Sequence, residues 1–305
     1  MKSRIAGMPQ SYIVRIGKMF GCLLYILDAP HRRIVRRNLG FVHAEWSLSQ
    51  IRRFSKRNFQ HYGISFAETL QLAFSSREDV IARSRVRGEE NVLRALKDNR
   101  GAILISAHLG NHEVGVQYLS CYLNQSIVGV AKKIRHKPLN RWLHDLRTRF
   151  GNRIIYKKGA LPEMTKTLRK GGLLALLIDQ SRQFLGVVVD FFGQRAPAKT
   201  AVALLALRCK SPVLPVFCYR ESDGMLTLDV GAPLDIRRTK NLRYDLQRNT
   251  QIMTDAIEDA VRKYPDQWFW YQKRWKKHYP ELNPGYQARL KRSKNWKKRS
   301  LPTVK

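Results

Sequence analysis

Two residues five positions apart could do acid–base chemistry: His108 and Glu113, in the stretch Ser106-Ala-His-Leu-Gly-Asn-His-Glu113. A neutral imidazole takes a proton from a hydroxyl as that hydroxyl attacks, and a carboxylate behind it holds the tautomer and stabilises the imidazolium. On a continuous helix, residues five apart sit about 140° apart and do not meet. The pair forms only if the chain turns between them, and Leu109-Gly110-Asn111 is turn chemistry. The competing reading is two unconnected polar residues on a loop. His112 is too close in sequence to face Glu113 and reads as packing or rim. No serine or cysteine stands in a nucleophile elbow, so a covalent intermediate is not required.

The flanking residues supply the elements that would hold this pair. The apolar run from Ala102 to Ala107 reads as a buried strand. Asn111 reads as the N-cap of a helix through Val114, Tyr118, Cys121 and Tyr122, with Glu113 in the first turn, where a carboxylate suits the dipole. Upstream, Ser47 caps a long helix from Leu48 to about Phe74, and another helix covers 89–97. Downstream, strands are expected at 126–131, 153–156, 173–178, 186–192, 213–219 and 225–230. Helices are expected between them at 138–150, 162–169 and 197–209, and a last one at about 242–264. Alternation of this kind predicts an α/β sandwich with a largely parallel or mixed sheet.

Totals set the surroundings. The chain has 305 residues, of which 44% are hydrophobic, enough for a substantial core. Its 57 Lys and Arg against 23 Asp and Glu give a formal charge of +34, a field that attracts anionic membranes, acidic proteins or nucleic acid. Cys22, Cys121, Cys209 and Cys218 show no metal spacing and sit mainly in apolar runs, as free buried thiols do. Residues 11–28 are apolar-rich but interrupted by Arg15 and Lys18, leaving an uncharged run too short to span a bilayer. With its basic and aromatic residues this segment reads as an interfacial helix. The domain reading is a membrane-associating helical segment at 1–45, a catalytic domain at 46–283 and a basic tail at 284–305. No helix-turn-helix, ribonucleoprotein motif or zinc signature supports a nucleic-acid-binding module, the principal reading from another class.

Four blocks line up along the chain: Ser106–Glu113; Ile178-Asp179-Gln180; Val187-Val-Val-Asp190-Phe-Phe-Gly193 with Arg195-Ala-Pro-Ala-Lys-Thr200; and the tryptophan-rich block from Gln267 to Trp275. Together they resemble the bacterial lipid A late acyltransferase family (lauroyl/myristoyl transferases), a branch of the H-x-x-x-x-D/E glycerolipid acyltransferases. The resemblance runs from about Arg32 to about Lys277. It implies a glycerolipid-acyltransferase-like α/β sandwich, its mixed central sheet flanked by helices, attached to the cytoplasmic face of the inner membrane. The implied reaction moves an acyl chain from a thioester, usually on acyl carrier protein, to a hydroxyl of a lipid A precursor bearing Kdo sugars, with no cofactor and no metal; the alternative is an acyltransferase of the same fold acting on a lysophospholipid, glycolipid or aminolipid. It implies His108 as base, Glu113 as its partner and Asp190 as a second acidic residue. Oxyanion and substrate contacts would come from Asn111 at the helix start, Lys133, Asp179, Gln180, Arg182, Arg195 and Arg274. Two departures bear on the acceptor: Ser181-Arg182 follow Asp179-Gln180 where the family often has a further aspartate, and Gln272-Lys273-Arg274 replace His-Arg-Arg. Asp190 also reads as a plain strand-end carboxylate, Lys133 as a solvated charge, and Trp268, Trp270 and Trp275 as core.

Overall fold

The protein was analysed as a computed structural model that describes residues 5–157, 159–180, 186–276, 278–279 and 282. The chain begins with two helices, α1 (Gln10–Leu27) and α2 (Ala29–Val42), which lead into the long α3 (Leu48–Leu72). Asp28 caps α2, accepting from the His31 N–H, and Ser47 with Gln50 forms a capping box at the start of α3. α1 lies against α3 at backbone contact. A Cβ on Gly17 would sit 2.4 Å from the Ile64 Cα, and one on Gly63 would sit 2.1 Å from the Gly17 carbonyl oxygen. Glycine at these three positions (Gly17, Gly21 and Gly63) is what lets the helices approach so closely.

The opposite face of α1 is uncovered. Ile16, Met19, Leu23, Ile26 and Leu27 are each half or more exposed. Among the described residues no helix is long and apolar enough to cross a membrane. The segment read as 1–45 thus holds α1 and α2, both packed on the rest of the protein.

The remaining elements are α4 (Arg77–Ala82), β1 (Ser84–Arg87), α5 (Glu89–Leu96), β2 (Ala102–Ser106), α6 (His112–Leu123), β3 (Ile127–Ala131), α7 (Lys137–Thr148), β4 (Arg153–Tyr156), α8 (Ala160–Arg169), β5 (Leu173–Leu177), β6 (Val187–Phe191), β7 (Gln194–Ala198), α9 (Ala201–Cys209), β8 (Val213–Arg220), β9 (Leu226–Val230) and α10 (Leu242–Lys263). Seven strands form one sheet in the order β1-β9-β8-β2-β5-β3-β4. Every neighbouring pair is parallel except β8 and β9, so the sheet is mixed, as expected. The strand β2 is its middle member. Buried on both faces, it reads as a continuous apolar run. Ala102 and Leu104 pack toward α5, α6 and α7, whereas Ile103 and Ile105 pack toward α8, α9 and α10.

A third cluster lies beyond the sheet, where α2, α3 and α10 meet the tryptophan block. Asn38 and Asn58 stitch that block in place. Their side-chain amides donate to the carbonyls of Trp270 and Gln272, and of Asp266 and Trp268, respectively.

Two local expectations change. Residues 197 and 198, read as the start of a helix, instead end β7 (Gln194–Ala198), which pairs with β6 in a hairpin outside the main sheet, and the helix begins at Ala201. Its two-residue turn, Phe192-Gly193, has φ of 59° and 68°, the primed geometry that matches strand twist. A bulky aromatic at positive φ hides that turn from sequence. Here the Phe192 ring is held against Phe191 and Trp270, with Arg262 4.6 Å above it. The short β1, which lies between the expected helices at 48–74 and 89–97 and is absent from the expected strands, pairs in parallel with β9.

Candidate active site

The turn after β2 is built as its sequence suggests. Asn111 caps α6, its side-chain Oδ1 accepting from the Val114 N–H at 3.2 Å, and Gly110 takes φ 59° where a Cβ would meet the Cys218 carbonyl at 1.8 Å. Backbone bonds from Gly110 to Gln267 and from Asn111 to Cys218 seat the turn between β8 and the tryptophan block. The His108 carbonyl accepts from the Tyr62 hydroxyl at 2.8 Å and from the Phe269 N–H at 2.9 Å.

His108 does not pair with Glu113. Its Nδ1 lies 2.8 Å from Asp179 Oδ1, and its backbone N–H donates to Asp179 Oδ2 at 3.0 Å. Asp179 stands just past the end of β5, the parallel neighbour of β2, and the Ile178 N–H bonded to the Ser106 carbonyl continues the pairing to this point. The Trp268 indole N–H, at 3.0 Å, and the Gln272 amide, at 3.4 Å, complete the shell around the buried carboxylate. Burial opposes charge on both partners, but their mutual attraction outweighs it. The imidazole is carried above its ordinary 6.5, and the carboxyl is held below 3.8 by His108, then by the bonds from the His108 amide and the Trp268 indole. An acceptor on Nδ1 fixes the proton there and leaves Nε2 as the basic nitrogen, as the third member of a hydrolase triad does. Nε2 lies 3.0 Å from the Gln180 amide nitrogen, whose N–H donates to the imidazole lone pair.

Glu113 is engaged elsewhere. Arg147 of α7 clasps it in a fork, with Nε 3.0 Å from Oε2 and Nη2 on Oε1. Burial pushes this carboxyl up, and the Arg147 bonds with the nearby histidines bring it below its usual value. It adds a negative charge near His108 without touching it. His112 sits between them, its ring edge-on to His108 at 5.1 Å and its Nε2 3.7 Å from Glu113. Burial drives His112 down to about 4, so it is neutral at pH 7.

Beside His108 opens a cavity of about 650 Å³. Its walls are mostly apolar, with Leu104, Ala175 and Val216 from the sheet and Val116 and Leu119 from α6. Gly129 of β3 lines it as well, and Gln117 and Asn152 bond to each other at 3.0 Å in its lining. His108, His112, Glu113 and Gln180 border the same space, as do Lys132, Lys157 and Lys199. An imidazole held by a buried carboxylate thus borders a mostly apolar pocket within the size range of small-molecule sites.

The model of the family described as bacterial lipid A biosynthesis acyltransferase matches residues 2–277. The chain belongs to that family. It is 26% identical over 206 residues to a phosphatidylinositol mannoside acyltransferase of Mycolicibacterium smegmatis, covering 66% of this chain and 64% of the relative. It is 24% identical over 192 residues to the protein of that name from Mycobacterium tuberculosis, covering 62% and 58%. The chain therefore spans a little under two thirds of the length of these mycobacterial relatives. A lipid A biosynthesis palmitoleoyltransferase of Escherichia coli is 22% identical over 272 residues, covering 88% of this chain and 86% of the relative. Among solved structures, a 1-acyl-sn-glycerophosphate acyltransferase from Thermotoga maritima aligns at a TM-score of 0.40 and 13% identity, over 86% of this chain and all of that one.

Of the residues that the family resemblance singled out, His108, Gln180 and Glu113 line the cavity, and Asp179 is buried behind His108, outside the lining. Asn111 is buried beneath them as the cap. Lys133 is exposed next to Lys132, outside the cavity lining. Asp190 is exposed on the β6–β7 hairpin, bonded through its backbone to Gln251 of α10 and touching neither His108 nor the cavity lining. Arg195, also exposed, faces it across the hairpin register. Arg274 is fully buried in the aromatic cluster, donating to the Pro197 carbonyl beneath the Phe191 ring, and burial pulls it down to about 10. Arg182 and the basic tail lie outside the described residues. Trp268, Trp270 and Trp275 are core, and Trp268 also donates to Asp179. Arg147 and Tyr62 were not singled out in sequence, because a lone arginine or tyrosine on a helix carries no spacing signal; Gln272, noted only as a departure from the family pattern, donates to Asp179.

Proposed function

We propose that this protein transfers a fatty acyl chain from a thioester to a hydroxyl of a lipid A precursor. His108 Nε2 is the general base and Asp179 its orienting carboxylate. The observation that carries this reading is the imidazole fixed by a buried aspartate in the lining of a mostly apolar cavity. The donor chain lies in the cavity, and the acceptor hydroxyl takes the place of the Gln180 amide on Nε2. As that hydroxyl oxygen attacks the thioester carbonyl, its proton passes to Nε2 and the charge on the imidazolium is met by Asp179. The tetrahedral oxyanion collapses, the carbon–sulfur bond breaks, and the imidazolium returns the proton to the departing thiolate. In this reading the oxyanion's donors are the displaced Gln180 amide and the His112 and Glu113 N–H groups at the start of α6, each worth about 3–4 kcal/mol in related chemistry; the Val114 N–H is taken by Asn111. Glu113, locked by Arg147, holds a fixed negative charge that favours the imidazolium.

The donor is read as acyl carrier protein, an acidic partner suited to a chain of formal charge +34. Attachment to the inner membrane is read as peripheral, through the uncovered face of α1. The deciding assay combines purified protein, acyl carrier protein loaded with a fatty acid, and Kdo-lipid IVA. His108→Ala is expected to lose at least about a hundredfold in kcat, and Asp179→Asn about as much or more, because the amide inverts the tautomer. Full activity in either variant overturns the assignment.

The similarity to phosphatidylinositol mannoside acyltransferases favours a second reading, in which the acceptor is another glycolipid hydroxyl. Offering both acceptors in one assay separates the two.

A further inference from the structure

Beneath the catalytic turn lies a buried carboxylate that the proposed chemistry does not use. Glu68, on α3, is 4% exposed. Its Oε2 accepts from the Asn111 amide at 2.8 Å and from Arg220 Nη2 at 2.7 Å. Its Oε1 accepts from Arg220 Nη1 and from the Gln10 amide at 2.7 Å. Arg220 closes β8, and its backbone exchanges two hydrogen bonds with the side chain of Gln267, whose carbonyl accepts from the Gly110 N–H. Asn111, in turn, is the cap that starts α6 three residues after His108. One ion pair therefore holds the second half of the turn twice, directly at Asn111 and through Gln267 at Gly110, and its remaining ligand comes from the first residue of α1.

We propose that Glu68 and Arg220 form a positioning pair that sets the His108–Asn111 turn, and that Gln10 ties this pair to α1. Neither residue reaches the cavity, so neither touches substrate. Their effect is on where the imidazole stands relative to Asp179. His61, packed beneath the same turn and 3.3 Å from the Gly110 carbonyl, is neutral and adds no competing charge. The link to Gln10 gives the helix whose outer face is read as membrane-bound a route to the base through two side chains.

The proposal rests on the acyltransferase reading, and the test separates them. Glu68→Gln, Gln10→Ala and His108→Ala are assayed beside the parent protein for thermal unfolding, kcat, KM and the pH midpoint of kcat, with and without anionic vesicles. Loss of the parent's activity, or no effect of His108→Ala, strikes the functional reading instead. With that reading intact, Glu68→Gln is expected to lower kcat about tenfold or more with KM within about twofold, and to move the pH midpoint downward as the Asp179 contact loosens. Gln10→Ala removes one donor without stranding a charge, so it folds even if Glu68→Gln does not. It is expected to cut the vesicle-dependent rise in kcat by about threefold or more at unchanged melting temperature. An unchanged midpoint in folded Glu68→Gln, or an unchanged vesicle response in Gln10→Ala, overturns the proposal.

Discussion

In the proposed chemistry the deciding residue is Asp179. A carboxylate five residues after His108 was the natural partner to choose from sequence, because a turn was visible and the carboxylate lay just beyond it. The observed partner is 71 residues away. Nothing in local spacing announces it; only the sheet order, with β5 alongside β2, places the two strand ends together. The strand, turn and cap were legible because an apolar run, Gly110 and Asn111 each carry a strong local signal. The ion pair was not, because it depends on which strands become neighbours. Its consequence is testable in the pH profile. The base must be neutral to act, and Asp179 raises the imidazole above 6.5, so kcat climbs as pH rises through a midpoint above that value. Asp179→Asn removes the charge that lifts it, and the residual activity is expected to show a midpoint moved downward. A midpoint that stays put removes Asp179 from its role.

At the scale of elements, the crossing of α1 and α3 governs whether the N-terminal helices stay seated. Their contact has no room for a methyl group: a Cβ on Gly63 would also fall 2.5 Å from the Gly21 nitrogen. Gly63→Ala is expected to cost about 2 kcal/mol, a typical overpacking penalty, read as a lower denaturant midpoint. The helices themselves were readable from periodicity and from Ser47, but their closeness was not. Glycines in a helical pattern look like weak points until a partner backbone lies against them. The β6–β7 hairpin shows the converse, since Phe192 adopts a turn conformation that its type disfavours.

For the whole molecule, two properties follow from how charge and apolar surface are distributed. The uncovered face of α1 and the excess of cations predict binding to anionic vesicles that weakens with salt. Replacing exposed Ile16 and Leu23 by aspartate is expected to reduce co-sedimentation about tenfold or more, from lost apolar burial alone, with no change in melting temperature. Acid sensitivity is the second. His61 is buried and His112 partly buried, and desolvation holds them neutral, down to about 3 and about 4 against 6.5 when unfolded. Depressed histidines favour the unfolded chain as pH falls below 6.5, by about 2 kcal/mol each at pH 5. His108 offsets part of this, because its raised value stabilises the fold at low pH and that contribution is lost as pH rises. Urea unfolding at pH 7 and pH 5 is expected to show a net loss, reduced in His61→Gln; equal stabilities would contradict it.

Trp268 donates its indole N–H to the same carboxylate oxygen that receives the His108 amide. Protonation of the imidazole therefore changes the electric field at a rigid fluorophore in direct contact with the pair. The base carries its own optical reporter, and its titration can be followed by emission with no substrate present.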